Sequence, residues 1–280
     1  MEIPAAPTRE KQPKILVFTD LDGTLLDFSS YSFEPARPAL SLLEKKNIPL
    51  VFCSSKTRSE IETLRAELKN THPFISENGA AVFIPKGMFP HPFRFDRENA
   101  EYFILEQGPS YSRVREVLAK IKARYPGVLR GFGDMDANEV ARLCGLSIED
   151  AKRAKQREHE EPFLLQEPSL EDDIRKAAEA FGLRVVRGDR FFHLTGGSHK
   201  GKALLRLKRL YEKSGTPVRT IALGDSPNDI PMLRAADMAV LVQKPGGGYD
   251  PAVQIPGVVF ARGVGPEGWR QAILELLDPS

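Results

Sequence analysis

The sequence has few cysteines and no strong excess of charge of either sign. Its 280 residues include two cysteines, Cys53 and Cys144, which lie far apart and form no CxxC or Cys/His cluster. Neither a disulfide framework nor a structural zinc site is indicated, and a pair of reduced thiols is expected. The formal net charge is +2, from 40 basic against 38 acidic residues. Nucleic acid is therefore not expected as a partner, because a polyanion is bound by a strong positive field.

Long apolar runs are also absent. No run is long enough to span a bilayer, and residues 1–12 lack the apolar centre of a secretion signal. We expect a disordered tail over residues 1–12 and a cytoplasmic protein with no membrane contact and no obligate protein partner. Hydrophobic residues make up 41% of the chain, which is enough to build the core of one large or two smaller domains.

What the sequence does contain is an alternation of short apolar runs and amphipathic segments. The runs at 15–19 and 49–53 predict buried strands, and Ala36, Leu40 and Leu43 recur at helical spacing between them. This alternation predicts an α/β fold with a Rossmann-like parallel sheet. The same patterns predict further helices and strands over 57–69, 74–75, 80–84, 204–211, 220–223 and 238–242.

The pattern changes near Pro85. The following segment is rich in Pro and aromatic residues, and it then contains a helix-like stretch over 114–124 and a very polar helix from about Ser147 to Glu161. We therefore predict a core domain built from residues 13–85 and 196–280, with an α+β cap domain, residues 86–195, inserted into it. The glycine-rich stretch QKPGGGYDP at 243–251 is interpreted as an ordinary surface loop.

Two acids follow the first predicted strand directly. Asp20 and Asp22 project from its carboxyl end, where open α/β sheets bind ligands. Two carboxylates this close repel each other unless a cation lies between them, and Mg²⁺ is the foremost candidate. Gly23 permits a tight turn, and the Thr24 hydroxyl and the turn amides are candidates for binding a phosphate oxygen. A surface turn or an isolated calcium loop is the alternative, although the spacing does not fit an EF-hand.

A second acidic group follows the predicted strand at 220–223. Asp225 is predicted to be a direct metal ligand together with Asp20 and Asp22. Asn228 is expected beside the phosphate, and Asp229 is expected to orient ligands and water rather than to bind the metal directly. The alternative for this motif is a turn with a helix cap.

Phosphoryl transfer also needs donors for the oxygens of the transferred group. Ser54 and Ser55 follow the second strand, and Lys200 begins a helix. The serines are predicted to bind phosphate, and the Lys200 ammonium to bridge the charges of the nucleophile and the phosphate. Taken in isolation, Ser54 would be a helix cap and Lys200 a solvated surface residue.

Together, DLDGTLLD, Ser54, Lys200 and GDSPND resemble the four motifs of the haloacid dehalogenase superfamily of phosphohydrolases. The resemblance implies that metal-bound Asp20 attacks phosphorus to form an aspartyl-phosphate, and that Asp22 protonates the leaving oxygen and later activates water. The long insertion between the serine and lysine motifs is similar to that of the Cof-like subgroup, which implies that a cap domain selects the substrate.

Within that subgroup, CSSKTRSE, ISENGAAVFIP, REHEEPF and FFHLTGGSHKGKAL resemble segments of the mannosyl-3-phosphoglycerate phosphatases. The resemblance implies hydrolysis of mannosyl-3-phosphoglycerate to mannosylglycerate, a compatible solute. It also suggests a set of substrate-binding residues on these segments, although composition alone favours a solvated helix end for REHEEPF. The predicted set is Lys56, Arg58, Glu77, Asn78, Arg157, Glu161, His193, Thr195, Gly196, Gly197, Ser198 and His199.

Other functions remain open at this stage. One is a phosphatase for another sugar phosphate, such as glucosyl-3-phosphoglycerate or sucrose phosphate. Another is a phosphosugar mutase, which returns the phosphoryl group to the substrate instead of to water. A protein that binds sugar phosphates without catalysis is a third, and it would be expected to lack one of Asp20, Asp22, Lys200 or Asp225.

Overall fold

The computed structural model describes residues 13–188 and 190–278. The tail predicted over residues 1–12 lies outside the described residues. Among the described helices, none is both long enough and apolar enough to cross a membrane. The strands are β1 (Lys14–Thr19), β2 (Leu50–Cys53), β3 (Phe74–Ser76), β4 (Ala81–Pro85), β5 (Arg97–Glu98), β6 (Tyr102–Glu106), β7 (Leu129–Gly131), β8 (Glu161–Leu165), β9 (Arg184–Arg187), β10 (Phe192–Thr195), β11 (Val218–Gly224), β12 (Met238–Gln243) and β13 (Val259–Val264). The α-helices are α1 (Arg37–Lys45), α2 (Arg58–Glu67), α3 (Tyr111–Arg124), α4 (Ala137–Cys144), α5 (Ile148–Ala154), α6 (Glu171–Glu179), α7 (Lys200–Glu212), α8 (Ile230–Ala235) and α9 (Gly265–Leu277).

The larger of two described sheets has nine strands in the order β13-β12-β11-β1-β2-β3-β4-β6-β5. The six strands from β13 to β3 are parallel, and β4, β6 and β5 complete the sheet as antiparallel strands. Successive residues of β1 alternate between two cores: Val17 packs with Trp269 of α9, whereas Leu16 and Phe18 pack with Leu204 of α7. Helices therefore cover both faces of this sheet, and the predicted α/β fold with a Rossmann-like parallel sheet is confirmed.

The smaller sheet is antiparallel, with the order β7-β8-β10-β9. Helices α3 and α6 cover it through a separate apolar cluster that includes Val117, Phe163 and Ile174. The division of the chain into core and cap stays a prediction, but the strand pairing bears on where the first boundary lies. Because β6 pairs with β4 from Ala81↔Glu106 to Pro85↔Tyr102, we propose that the core extends to Glu106 rather than ending at Pro85.

The polar helix predicted from about Ser147 to Glu161 is wrong at its carboxyl end. Helix α5 ends at Ala154, and Glu161 is the first residue of strand β8. Pro162 disfavours helical geometry at the residue before it, which agrees with the extended chain seen here. Backbone amides of the segment between α5 and β8 instead donate hydrogen bonds to Glu77, which directly follows β3 of the larger sheet.

Candidate active site

The first two acidic motifs meet because their strands are neighbours. β1 and β11 are parallel and in register, with Thr19 opposite Leu223, and the Asp20 amide donates to the Leu223 carbonyl at 2.9 Å. The carboxyl ends of parallel strands lie at one edge of a sheet, so the residues that follow them converge. Asp20 and Asp225, separated by most of the chain, are therefore brought into one site.

Three buried carboxylates form the centre of this site. Oxygens of Asp20, Asp225 and Asp229 all lie within 4.8 Å of one another. Lys200, fully buried at the start of α7, donates to Asp20 Oδ1 at 2.5 Å and to Asp229 Oδ1 at 2.6 Å. Asp229 thus lies inside the acidic cluster, although the sequence suggested a supporting position for it, whereas the carboxylate of Asp22 does not belong to the cluster.

Burial and charge perturb the acid at the end of β1. Burial and the negative charges of Asp229 and Asp225 raise the pKa of Asp20, and the Lys200 ammonium only partly opposes that rise. A further positive charge beside Asp20 would lower this pKa again.

Asp225 is held at both oxygens. The hydroxyls of Thr24 and Ser226 donate to Oδ1 at 3.1 and 3.2 Å, and the Lys244 ammonium lies 3.0 Å from Oδ2. Thr24, predicted to bind phosphate, here positions an acid instead. Lys244 lies in QKPGGGYDP, the stretch interpreted as an ordinary surface loop, but its side chain reaches the acidic cluster.

The site fits a hard divalent cation. Within residues 13–188 and 190–278, three buried carboxylates face the two ammonium groups of Lys200 and Lys244, so negative charge is in excess among these groups. Carboxylate oxygens are the ligands that Mg²⁺ and similar cations prefer. Asp20, Asp225 and Asp229 are the side chains that would hold such an ion.

A cavity lies beside the cluster, between the two sheets. Its volume is about 120 Å³, which is below the range of about 300–1,000 Å³ common for ligand pockets. The predicted site residues that line the cavity are Asp20, Asp22, Ser55, Lys56, Arg157, His193 and Asn228.

Lys56 faces Asp22 across the mouth of the cluster. Its ammonium lies 3.0 Å from Asp22 Oδ2 and 3.7 Å from Glu60 Oε1. Burial alone would lower the pKa of Lys56, but the two carboxylates outweigh it and raise that pKa. Lys56 therefore stays charged beside the position predicted for the leaving group.

The loop after β2 supplies backbone groups as well as hydroxyls. Ser54 is buried, and its Oγ accepts a hydrogen bond from the Lys56 amide at 3.2 Å. The Ser55 carbonyl accepts from Arg157 Nη1 at 2.7 Å, which ties this loop to the smaller sheet's side of the cavity. Asn228 donates to Asn78 Oδ1 at 3.2 Å.

The Glu77 carboxylate binds backbone amides and does not line the cavity. Its two carboxylate oxygens accept hydrogen bonds from the amides of Glu158, His159 and Glu160, each at 2.9 Å. Both Glu77 and Asn78 have positive φ, 46° and 54°, a conformation that non-glycine residues seldom adopt. Neither lines the cavity, and Glu77 instead holds the segment that precedes β8.

The neighbouring acid, Glu160, was not identified from the sequence. Its buried carboxylate accepts from Asn78 Nδ2 at 2.9 Å, from His193 Nδ1 at 2.9 Å and from Arg157 Nη1 at 3.1 Å. Burial would raise its pKa, but His193 and Arg157 outweigh that effect and lower it. The only signal in the sequence was its place in REHEEPF, from which Glu161 was chosen.

Glu161 lies away from the cavity. Its carboxylate accepts from Tyr111, Arg115 and the amide of Gly133, at 2.6, 2.7 and 2.7 Å. These partners belong to α3 and the turn after β7, so Glu161 stabilises the fold around the smaller sheet.

Several other predicted substrate contacts also lie outside the cavity lining. Arg58 pairs with Glu158 at 3.1 Å, and His199 caps α7 by accepting from the Lys202 amide at 3.1 Å. Burial lowers the pKa of His199. Gly196 packs so tightly that a Cβ there would lie 2.2 Å from Pro109 Cδ. Thr195 ends β10, and the connection from there to α7 consists of Gly196, Gly197, Ser198 and His199, whereas Arg58 begins α2. None of these residues lines the cavity.

Tyr31 and Arg190 close the cavity at a point that the sequence did not reveal. Arg190 donates to the Cys144 carbonyl at 2.6 Å and to the Phe28 carbonyl at 3.2 Å, and it lies over the Phe28 ring. The Tyr31 hydroxyl donates to the same Cys144 carbonyl at 3.0 Å. These contacts join the loop after β1 to α4 across the cavity mouth.

Comparisons with known proteins identify the family and the fold. A family model described as haloacid dehalogenase-like hydrolase matches residues 17–106 and 183–244. A solved phosphatase of the haloalkanoate (HAD) enzyme superfamily from Bacteroides thetaiotaomicron aligns with a TM-score of 0.66 at 16% identity, covering 98% of each chain. That structural likeness supports the fold.

Sequence relatives are considerably closer. A protein of Methanococcoides burtonii named glucosyl-3-phosphoglycerate/mannosyl-3-phosphoglycerate phosphatase is 48% identical over 94% of this chain and 97% of its own. A mannosyl-3-phosphoglycerate phosphatase of Pyrococcus horikoshii is 36% identical over 81% of this chain and 90% of its own. The similarity to both relatives therefore extends through both sheets.

Proposed function

This chain belongs to the haloacid dehalogenase-like hydrolases, and on that premise we propose that it is a phosphatase that converts mannosyl-3-phosphoglycerate to mannosylglycerate and phosphate. The proposal includes Mg²⁺ as the cation and Asp20 as the nucleophile. It rests above all on one observation, the hydrogen bonds from buried Lys200 to both Asp20 and Asp229 within the acidic cluster beside the cavity.

The proposed reaction has two displacements. In the first, a carboxylate oxygen of Asp20 forms a bond to phosphorus, the ester P–O bond breaks, and Asp22 gives its proton to the departing glycerate oxygen. In the second, Asp22 takes a proton from water, the water oxygen bonds to phosphorus, and the Asp20–phosphorus bond breaks to release inorganic phosphate. Lys56, whose ammonium lies 3.0 Å from Asp22 Oδ2, is placed to pair with the Asp22 carboxylate between these steps.

The remaining residues bind and orient. Lys200 fixes the rotation of the Asp20 carboxylate by its bond to Oδ1, and Ser54, Ser55 and Asn228 are proposed to face the phosphate oxygens. Mg²⁺ bound by the acidic cluster would neutralise the charge of the incoming phosphate. Arg157 and His193 on the opposite wall are proposed to contact the glycosyl-glycerate portion.

A second substrate is favoured by the closer relative. The Methanococcoides protein is named for glucosyl- as well as mannosyl-3-phosphoglycerate. The two sugars differ in the orientation of one hydroxyl, and a site without a partner dedicated to that hydroxyl would accept both. We therefore include hydrolysis of glucosyl-3-phosphoglycerate in the proposal.

Phosphate release from a substrate panel tests the proposal. The panel contains mannosyl- and glucosyl-3-phosphoglycerate, sucrose phosphate, trehalose phosphate and hexose phosphates, each with Mg²⁺ and with a chelator. We expect Mg²⁺-dependent release from the first two, lowered by roughly three orders of magnitude or more in Asp20→Asn. Asp172→Asn, an exposed acid, serves as the control. Full activity of Asp20→Asn, or an isomerised sugar phosphate in place of free phosphate, would contradict it.

A further inference from the structure

On the smaller sheet, the cavity wall includes the imidazole of His193, whose surroundings are defined by several hydrogen bonds. His193 lies on β10 and is mostly buried, and its Nδ1 is 2.9 Å from Glu160 Oε1. The Glu160 side chain is fully buried, and its carboxylate accepts hydrogen bonds from His193, Arg157 and Asn78. Since a carboxylate can only accept a hydrogen bond, Nδ1 must carry the proton that is shared with it.

Glu160 itself cannot rotate freely. Asn78 and Arg157 donate to the same carboxylate, and the Glu160 amide donates to Glu77 Oε2 at 2.9 Å. Asn78 in turn accepts from Asn228 at 3.2 Å, so the orientation of the imidazole is linked to the loop after β11. The link crosses from the larger sheet to the smaller one and exists only when the two are close together.

The other ring nitrogen of His193, Nε2, is available to a ligand. Among the described residues no hydrogen-bond partner for Nε2 is found, and His193 lines the cavity together with Gly188. A Cβ placed on Gly188 would lie 3.1 Å from Nε2, so any side chain at this position would crowd that nitrogen. In the neutral form of the ring, a proton on Nδ1 leaves Nε2 as an acceptor, and a hydroxyl group is a natural partner for it.

We infer that Glu160 is a positioning residue that fixes the proton of His193 on Nδ1, so that Nε2 accepts a hydrogen bond from a hydroxyl of the substrate's glycosyl-glycerate portion. This inference rests on the proposed function for the identity of that portion. It adds to it a recognition group, the form in which that group acts and the residue that enforces it.

The kinetic test compares two adjacent buried glutamates. Glu160→Gln keeps an acceptor for Nδ1 but removes the charge, and we expect it to raise KM for the glycosyl-3-phosphoglycerate roughly tenfold, the loss typical of one charged hydrogen-bond partner. kcat and the hydrolysis of p-nitrophenyl phosphate, which has no sugar hydroxyl, should not change. Glu161→Gln is equally buried and bonded away from the cavity, so it should lower stability without raising KM. Gly188→Ala, which fills the space at Nε2, should raise KM as Glu160→Gln does.

A spectroscopic test is independent of the substrate. Long-range ¹H–¹⁵N spectra of protein labelled at its five histidines, with His193 assigned from His193→Asn, report which ring nitrogen carries the proton. We expect the Nδ1–H form in the wild type and a shift to Nε2–H in Glu160→Ala. An Nε2–H ring in the wild type, or an unchanged KM in Glu160→Gln, would overturn the inference. Absence of wild-type turnover would instead refute the proposed function, and the spectra would still decide the role of Glu160.

Discussion

Gly23 and Asp225 are in direct contact across the site. A Cβ added to Gly23 would lie 2.8 Å from Asp225 Oδ2, and Gly23 has a φ of +75°. The turn after β1 thus depends on glycine for two reasons, its backbone conformation and the closeness of an acid that belongs to the cluster.

Two glycine variants separate those reasons. Gly127 has nearly the same φ, +77°, but a Cβ added there would meet no atom of the described residues within 4 Å beyond its chain neighbours. We expect Gly127→Ala to cost about 1 kcal/mol of unfolding free energy and to retain activity. Gly23→Ala should lose more stability and also phosphate release, because the methyl group displaces Asp225. Urea unfolding and phosphate assays measure both effects, and equal behaviour of the two variants would contradict the role assigned to the contact.

Replacing Lys244 should change how tightly the protein binds Mg²⁺. In Lys244→Met, three buried carboxylates would lose one of the two ammonium groups beside them, so the metal-free protein should be less stable. Mg²⁺ should then bind about tenfold more tightly, equivalent to about 1.4 kcal/mol, because it no longer competes with an ammonium at Asp225 Oδ2. Calorimetric titration with Mg²⁺ and melting curves in a chelator measure this. Lys213→Met, on the exposed end of α7, is the control. Weaker binding of Mg²⁺ to Lys244→Met would show that the lysine assists the ion instead.

Replacing Glu77 should destabilise the segment before β8. Glu77→Gln keeps one carbonyl oxygen for the three amides that the carboxylate now binds, and we expect it to cost about 1.5–3 kcal/mol. Hydrogen exchange should accelerate at residues 158–160 in particular. Glu167→Gln, at an exposed position, should change neither the unfolding free energy nor the exchange. Unaltered protection of residues 158–160 in Glu77→Gln would refute this role.

Replacing Arg190 should make the loop at the cavity mouth, residues 28–31, more mobile. Arg190→Ala removes the bonds to the Cys144 and Phe28 carbonyls, and since such exposed contacts contribute up to about 1 kcal/mol, KM should rise by roughly fivefold at most. Hydrogen exchange or proteolysis at residues 28–31 should increase. Arg187→Ala, whose side chain is 69% exposed, is the matched control. If both variants gave wild-type protection of that loop, the contacts would not be what closes it.

The contribution of Asp27 to the unfolding free energy should depend on pH. Hydrogen bonds from the Ser30 amide and from the Ser30 and Ser29 hydroxyls lower the pKa of Asp27 to about 2. An acid whose folded pKa lies below its unfolded value of about 3.9 stabilises the fold above that value and loses this effect as pH falls. The difference in unfolding free energy between wild type and Asp27→Ala should therefore be constant above about pH 5 and shrink toward pH 2. A difference that grows on acidification would be opposite in sign to this expectation.

The sequence predicted the elements and the chemistry at the ends of the strands. The apolar run before Asp20 and the run before Asp225 specify buried parallel strands, and such strands expose their carboxyl ends at one edge. Local patterns were sufficient here because strand, turn and acid are contiguous in the chain. The same reasoning predicted the α/β fold, which the sheet order confirms.

The same reasoning could not predict which acid of REHEEPF contacts the cavity residues Arg157 and His193. Successive side chains of an extended segment point to opposite sides, so Glu160 and Glu161 differ completely in surroundings although they are neighbours in sequence. The sequence suggested a helix there, and a helix gives no such alternation. The two orientations are fixed by the pairing of Glu161 with Leu194 and by the hydrogen bonds that Glu77, about 80 residues away in the chain, accepts from the amides of Glu158 and Glu160.

The amino-acid sequence by itself therefore determined that Asp20, Asp22, Lys200 and Asp225 lie at strand or helix ends, because secondary structure follows from local periodicity. Only the tertiary structure decided what those residues touch. It assigned Thr24 to Asp225 and brought Lys244 to the acidic cluster. It also aimed Glu160 at His193, because side-chain partners are set by packing between segments that are distant in the chain.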